Sequence, residues 1–153
     1  MAAPLRAQSR RAQVSKLSQY VEKWLAGDLE LAPITAFLGV RPVSLGEGDA
    51  RIELTATDRL HNAMGTVHGG IFCDLADVAM GAALATVTAE GESFSTLQLT
   101  MSYFLPVVDG RLSAHARVIR RGRGTAHLEC ELEDGEGRLV ARASSVCAIR
   151  QAG

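Results

Sequence analysis

An α+β fold, with an antiparallel sheet laid around one long helix, is what this sequence predicts. Three observations carry that expectation. From Gly70 to about Thr88 runs the one long stretch of helix-forming or small residues, with two acids and no base or proline. On both sides of it apolar and polar residues alternate with a period of two, the mark of half-buried strands. The later strands are separated by tight glycine-containing turns, which join antiparallel neighbours.

The elements follow in order. Met1 to Lys16 is rich in Arg and Ala and has no apolar stretch, so it does not read as a secretory signal. With no acid before Glu22, it reads as a basic tail or a mitochondrial presequence. Val14, Leu17, Val21, Trp24 and Leu25 recur at helical spacing and predict an amphipathic helix over 13–26. Pro33 to Leu38 predicts a short helical turn, with Pro33 suited to its first position. Two strands precede the long helix. The clearer one sets Ala50, Ile52, Leu54 and Ala56 against Arg51, Glu53 and Thr55. Asp58 to Val67 is irregular and polar and leads to Gly69-Gly70.

After Glu90-Gly91 the alternation returns. Leu97, Leu99, Met101, Tyr103 and Leu105 form one face, with Thr96, Gln98, Thr100 and Ser102 on the polar side. Pro106 and Asp109-Gly110 end that strand. Leu112, Ala114, Ala116 and Val118 mark the next, closed by Arg121-Gly122-Arg123-Gly124. Leu128, Cys130 and Leu132 mark another, turned by Asp134-Gly135, and Leu139, Ala141, Ala143, Cys147 and Ile149 mark the last. The chain divides into residues 1–30, the basic tail and first helix, and residues 31–153, a single domain.

Composition narrows the function classes. With 153 residues, 47% hydrophobic and 22% charged, the chain suits one packed core rather than disorder. A formal net charge of -1 argues against nucleic-acid binding through a general basic field. No apolar run approaches the roughly 20 residues that span a bilayer, and Val78 to Thr88 reads as a buried helix. Cys73, Cys130 and Cys147 are odd in number and sit among apolar residues, like core thiols of a reducing compartment, so the expected location is cytoplasmic. His61, His68, His115 and His127 lack paired spacing, so neither a metal nor another cofactor is expected.

The chemistry concentrates in Asn62-Ala63-Met64-Gly65-Thr66-Val67-His68-Gly69-Gly70 and in Asp77. Two glycines at a helix entrance admit a ligand close to the backbone. The first N–H groups of a helix lack internal partners and lie at the positive end of its dipole, so they can polarise a carbonyl or hold an oxyanion. A bare Gly-Gly is also simply a sharp turn. Asp77 interrupts a mostly apolar stretch, which makes it either a functional carboxylate or the polar side of the helix shared with Asp74. His68 is a candidate base, donor or cap. No Ser sits in a nucleophile elbow, and Cys73 stands between Phe72 and Asp74, which would raise its pKa.

Asn62, Gly65-Thr66-Val67-His68-Gly69-Gly70 and Leu75-Ala76-Asp77 together resemble the active-site segment of PaaI-like hotdog thioesterases, the phenylacetyl-CoA thioesterase group. The likeness continues through Tyr103-Phe104-Leu105-Pro106, Gly110, Arg121-Gly122-Arg123 and Asp134-Gly135, covering about residues 35–149. It implies a hotdog fold, with the sheet wrapped around the long central helix. It also implies an acyl-CoA substrate, aryl-acetyl or medium-chain, with Asp77 as general base or nucleophile. Gly69 would offer its N–H to the thioester carbonyl, and Asn62 would bond near the same carbonyl. His68 would order the site, and Thr96 would position the attacking water. Gly70 joins the substrate-binding set, and Arg120, Arg121 and Arg123 form a cationic turn that could meet the CoA phosphates.

Gly69 and Asp77 are eight residues apart, roughly 12 Å along one helix. One thioester therefore cannot reach both on the same chain. Antiparallel helices across a two-fold axis would solve this, and the resemblance implies such dimers, usually paired into homotetramers. Two rival readings remain at this level. One is a hotdog dehydratase or hydratase pairing His68 with Asp77 on a 3-hydroxyacyl thioester; the other is a non-catalytic acyl-CoA sensor.

Overall fold

The structure, a computed structural model, describes residues 15–151; the basic tail and Val14 lie outside the described residues. Helix α1 (Lys16–Ala26) begins at Ser15, whose hydroxyl accepts from Ser18 N at 3.0 Å, and ends at Gly27 in the left-handed conformation. Its Val21 and Trp24 are buried, as the helical spacing predicts. Helix α2 (Pro33–Leu38) carries Pro33 in its first turn.

Six strands form one antiparallel sheet in the order β1-β2-β4-β5-β6-β3. They are β1 (Arg41–Gly46), β2 (Asp49–Ala56), β3 (Glu92–Tyr103), β4 (Gly110–Arg121), β5 (Thr125–Glu133) and β6 (Leu139–Gln151). β1, whose bounds the sequence left open, contains Pro42 and a bulge between Pro42 and Ser44. It occupies an edge, where a missing N–H costs no ladder bond. β3 holds the other edge.

Helix α3 (Gly69–Ala85) connects β2 to β3 and so carries the chain from one side of the sheet to the other. Leu75, Met80 and Leu84 are almost fully buried, each stabilising by about 1.5–3 kcal/mol. Between them Ala76, Ala79, Ala82 and Ala83 are buried too, and their small side chains let the sheet curve close around the helix. The helix stops before the expected Thr88. Thr86 Oγ1 donates to Ala83 O at 2.7 Å and Thr88 Oγ1 to Leu84 O at 2.8 Å, satisfying carbonyls that a further turn would have used. Among the described residues no helix is long and apolar enough to cross a membrane.

β3 starts at Glu92, earlier than its apolar alternation suggests, and an extra residue is inserted within it. Thr96 lies opposite Cys147 and Gln98 opposite Val146, so Leu97 bulges between them. One added residue reverses the parity of a strand. Thr96 therefore faces the helix together with Phe94, and beyond the bulge Leu99, Met101 and Tyr103 do so. The bulged Leu97 is 61% exposed.

Candidate active site

The segment entering α3 is fixed from several sides. Val67 N donates to Val107 O at 2.8 Å and His68 N to Leu60 O at 2.8 Å. The imidazole of His68 caps the helix, with Nδ1 accepting from Gly70 N at 2.9 Å, and Ile71 N donates to His68 O at 3.0 Å. That capping bond assigns the proton of the neutral ring to Nε2. Gly70 N–H is thereby occupied, whereas Gly69 N–H has no partner among the described residues. Of the two glycines, only Gly69 offers a free helix N-terminal donor.

Asn62 shapes the approach. Its Oδ1 accepts from Met64 N at 2.8 Å and its Nδ2 donates to Thr66 Oγ1 at 3.1 Å. The turn it closes contains Gly65 at φ 76, a conformation that glycine adopts without strain. Asn62, His68, Gly69 and Gly70 border a cavity of about 650 Å³, whose apolar wall includes Phe72, Tyr103 and Leu105.

Tyr103 holds Gly69 from the opposite side, a role sequence reasoning did not assign. Its hydroxyl donates to Gly69 O at 2.8 Å, and a Cβ added at Gly69 would stand 3.1 Å from the Tyr103 hydroxyl oxygen. The ring also meets Phe72 edge-on, with centroids 5.7 Å apart. The only sequence signal was an aromatic residue before Phe104-Leu105-Pro106; nothing local said that it reaches a helix start 34 residues away.

Although half of Tyr103 is exposed, its hydroxyl end is lodged against Gly69 and Cys73. Desolvation there, aided by the Cys73 thiol, pushes the phenol up to about 12. A folded value above the unfolded one, about 10, means that the contribution of the lodged, protonated hydroxyl to stability is complete below about pH 10. It is then lost as pH rises toward 12. A phenol absorbance step near 12 is expected, and Tyr103→Phe should abolish it. A Tyr103 step near 10 instead would mean that the hydroxyl is not desolvated beside the Cys73 thiol.

Asp77 lies elsewhere on α3. Its carboxylate is exposed in the single chain, as is that of Asp74, although the helix around both is mostly apolar. For Asp77 the reason is that it faces β3, the sheet's edge strand, where no further layer covers it. Thr96 Oγ1 donates to Asp77 Oδ1 at 2.9 Å. The hydroxyl proton is thus directed at the carboxylate, and the oxygen's lone pairs remain to accept from water. Asp77 does not border the cavity at Gly69, and Asp74 borders a different one, with Phe37 and His61. One chain therefore brings Asn62, His68, Gly69 and Gly70 together, and separately brings Asp77 and Thr96 together.

The cationic turn is split as well. Arg121 pairs with Glu92, whose side chain is nearly buried. Burial pushes the Glu92 carboxyl up, but the bonds from Arg121 and from Ala89 N–H outweigh it and hold the group below the usual carboxylate range. Arg120 lies on the outer face of the sheet, bordering a cavity of about 480 Å³ with Gln98 and His127. Arg123 is exposed in the β4–β5 turn.

Residues 64–141 match the family model described as the thioesterase superfamily. Among solved structures, a phenylacetic acid degradation-related protein of Ralstonia eutropha is 30% identical. It covers 84% of this chain and 98% of its own, with a TM-score of 0.77. A point variant of the phenylacetic acid degradation protein PaaI of Thermus thermophilus is 30% identical, covering 76% of this chain and 98% of its own, with a TM-score of 0.71. The 1,4-dihydroxy-2-naphthoyl-CoA hydrolase of Listeria monocytogenes is 25% identical over 114 residues, 74% of this chain and 93% of that protein.

Proposed function

The chain belongs to the thioesterase superfamily, has the hotdog fold and is a thioester hydrolase, and from that premise we propose that it hydrolyses an acyl-CoA to the carboxylic acid and free CoA. The observation that carries this reading is the free N–H of Gly69 at the start of α3, opening on an apolar cavity. A thioester carbonyl seated there would meet an unsatisfied donor at the positive end of a helix, and charge growing on its oxygen would be stabilised. His68 and Asn62 keep that donor in place, the first through the cap and the second through the turn.

Asp77 supplies the base. It removes a proton from a water that Thr96 positions, the water oxygen bonds to the carbonyl carbon, and the C–S bond breaks to release the CoA thiolate, which takes up that proton. In the alternative form, the Asp77 carboxylate bonds to the carbonyl carbon, the C–S bond breaks to release the CoA thiolate, and water then hydrolyses the anhydride, its proton passing to the thiolate. The two half-sites and the exposed edge of β3 support an active site shared across a homodimer, with Asn62, His68 and Gly69 of one chain facing Asp77 and Thr96 of the other. Pairing of such dimers into a homotetramer belongs to the same proposal. The Pro-containing β1 edge is blunted, whereas the long β3 edge is open to pairing.

The aryl-acetyl class is favoured by the named role of the two phenylacetic acid degradation proteins at 30% identity. Incubation with a mixture of acyl-CoAs, phenylacetyl-CoA and an enoyl-CoA among them, and a thiol reagent tests the reading: free CoA should appear in proportion to enzyme. Hydration of the enoyl-CoA without CoA release, or binding alone, would overturn it.

For the nucleotide end, Arg120 and Arg123 are the cations left to meet phosphate, because Arg121 is engaged by Glu92. Arg120→Ala with Arg123→Ala should raise KM for acyl-CoA severalfold, roughly 3- to 10-fold, and leave kcat unchanged, since uniform binding is removed. Thioesters lacking the nucleotide should be hydrolysed as by the unmodified protein. Equal losses on both kinds of substrate would exclude a phosphate role.

A further inference from the structure

The Gly69–Gly70 peptide is restrained at both of its polar ends. Its N–H, that of Gly70, donates to His68 Nδ1 at 2.9 Å, and its carbonyl, that of Gly69, accepts from the Tyr103 hydroxyl at 2.8 Å. The peptide before it is held through its own carbonyl, since Ile71 N donates to His68 O at 3.0 Å. The Gly69 Cα lies between these two planes, and the unpaired N–H projects from the first. The His68 and Ile71 bonds arise within residues 68–71 themselves. The Tyr103 bond comes from β3, outside the segment, and fixes the second plane against the sheet.

Such a hold matters most at glycine. With no Cβ, two glycines in succession have the widest choice of φ and ψ, so this corner is loose unless something outside it restrains it. The side chain that does so is itself braced. The Tyr103 ring meets the buried Phe72 edge-on, and its atoms lie 3.2 Å and 3.5 Å from where a Gly69 Cβ would stand. The ring thus fills the space that a side chain would have taken. Its hydroxyl remains a protonated donor at neutral pH, because desolvation pushes the phenol up to about 12.

We propose that Tyr103 is a positioning residue for the hydrolysis: by holding the Gly69 carbonyl, its hydroxyl keeps the Gly69 N–H aimed at the thioester oxygen as charge develops there. The inference rests on the reading of Gly69 as the donor to that carbonyl. A donor lowers the barrier only if it is aligned before the charge grows, and a misplacement of about 1 Å can cost about 10²-fold. Tyr103 acts through Gly69 and moves no proton in the reaction. Its ring, by contrast, borders the substrate cavity with Phe104 and Leu105 and serves ground-state binding. Hydroxyl and ring therefore act on different kinetic constants.

Tyr103→Phe removes the hydroxyl and leaves the ring, at a half-exposed position where the fold tolerates the change. It should lower kcat for phenylacetyl-CoA by about 10- to 100-fold and leave KM within about threefold. The loss should be equal at about pH 6 and about pH 9; a loss that varies across that range would make the phenol an acid–base group and overturn the proposal. Cys73→Ala separates the hydroxyl's two partners, because it removes the thiol at 3.4 Å and leaves the bond to Gly69 O. It should keep kcat within about twofold, and a loss as large as that of Tyr103→Phe would overturn the proposal. A spectroscopic readout needs no turnover. Phenylacetyl-CoA carrying ¹³C at the thioester carbonyl is bound to Asp77→Asn protein, and its infrared carbonyl band is recorded. Adding Tyr103→Phe should broaden that band and move it to higher frequency as the donor loosens. An unmoved band would overturn the proposal whatever happens to kcat, since the hydroxyl would then not act through Gly69. A wild type that hydrolyses no acyl-CoA, yet binds the labelled thioester with a band that Tyr103→Phe shifts, would refute the hydrolytic reading and uphold the hold of Tyr103 on the Gly69 donor.

Discussion

Asp77→Asn is expected to fold as the wild type does and to lose about 10²–10⁴-fold in kcat, the range of a positioned general base. Asn retains the volume and can still accept from Thr96 Oγ1, so the hydrogen bond at 2.9 Å survives while proton removal and carboxylate attack do not. Because Asp77 is exposed in the single chain, the substitution leaves no unpaired group in the core. Thermal melts should therefore superimpose within a degree or two, about the effect of a surface change. Asp74→Asn provides the comparison: Asp74 borders the other cavity, away from Thr96, and its replacement should change kcat little. An Asp77→Asn enzyme within threefold of wild type would remove Asp77 from the mechanism. Label found in Asp77 after a single turnover in ¹⁸O-labelled water would identify carboxylate attack, since water opening the anhydride at the Asp77 carbonyl carbon is the step that puts it there.

Restoration of activity by mixing two inactive variants is the second large effect expected. Asn62→Ala loses the turn that shapes the Gly69 half-site, and Asp77→Ala loses the carboxylate half-site. Each refolded alone should be nearly inactive. Unfolded together in equal amounts and refolded, about half the dimers become mixed. Each mixed dimer then has one site with both defects and one with neither, so roughly a quarter of all sites recover. The separation of Gly69 from Asp77, about 12 Å along α3, motivates the experiment. Mixed dimers that form and yet stay inactive would place the whole reaction within one chain and refute the shared geometry.

By itself the sequence determined the element order, the two central glycines, the turn positions and the candidate set around Asn62, His68, Gly69 and Asp77. These depend on local physics: helical and strand periods, the φ freedom of glycine, and the orphan N–H groups at a helix start. Only the tertiary structure decided which of those groups are available. His68 occupies the Gly70 N–H and leaves that of Gly69, Glu92 engages Arg121, and Tyr103 reaches Gly69 O across 34 residues. Thr96 makes the point most clearly. Its alternation with Leu97 and Leu99 put it on the polar side, yet it bonds Asp77, because the bulge at Leu97 reverses the strand's parity. Strand register is set by pairing with β6, residues distant in the chain, and no local pattern encodes where an extra residue is inserted. The exposure of Asp77 has the same origin, since an apolar helix stretch says that a face is covered only if the sheet extends over it, and here the sheet ends at β3.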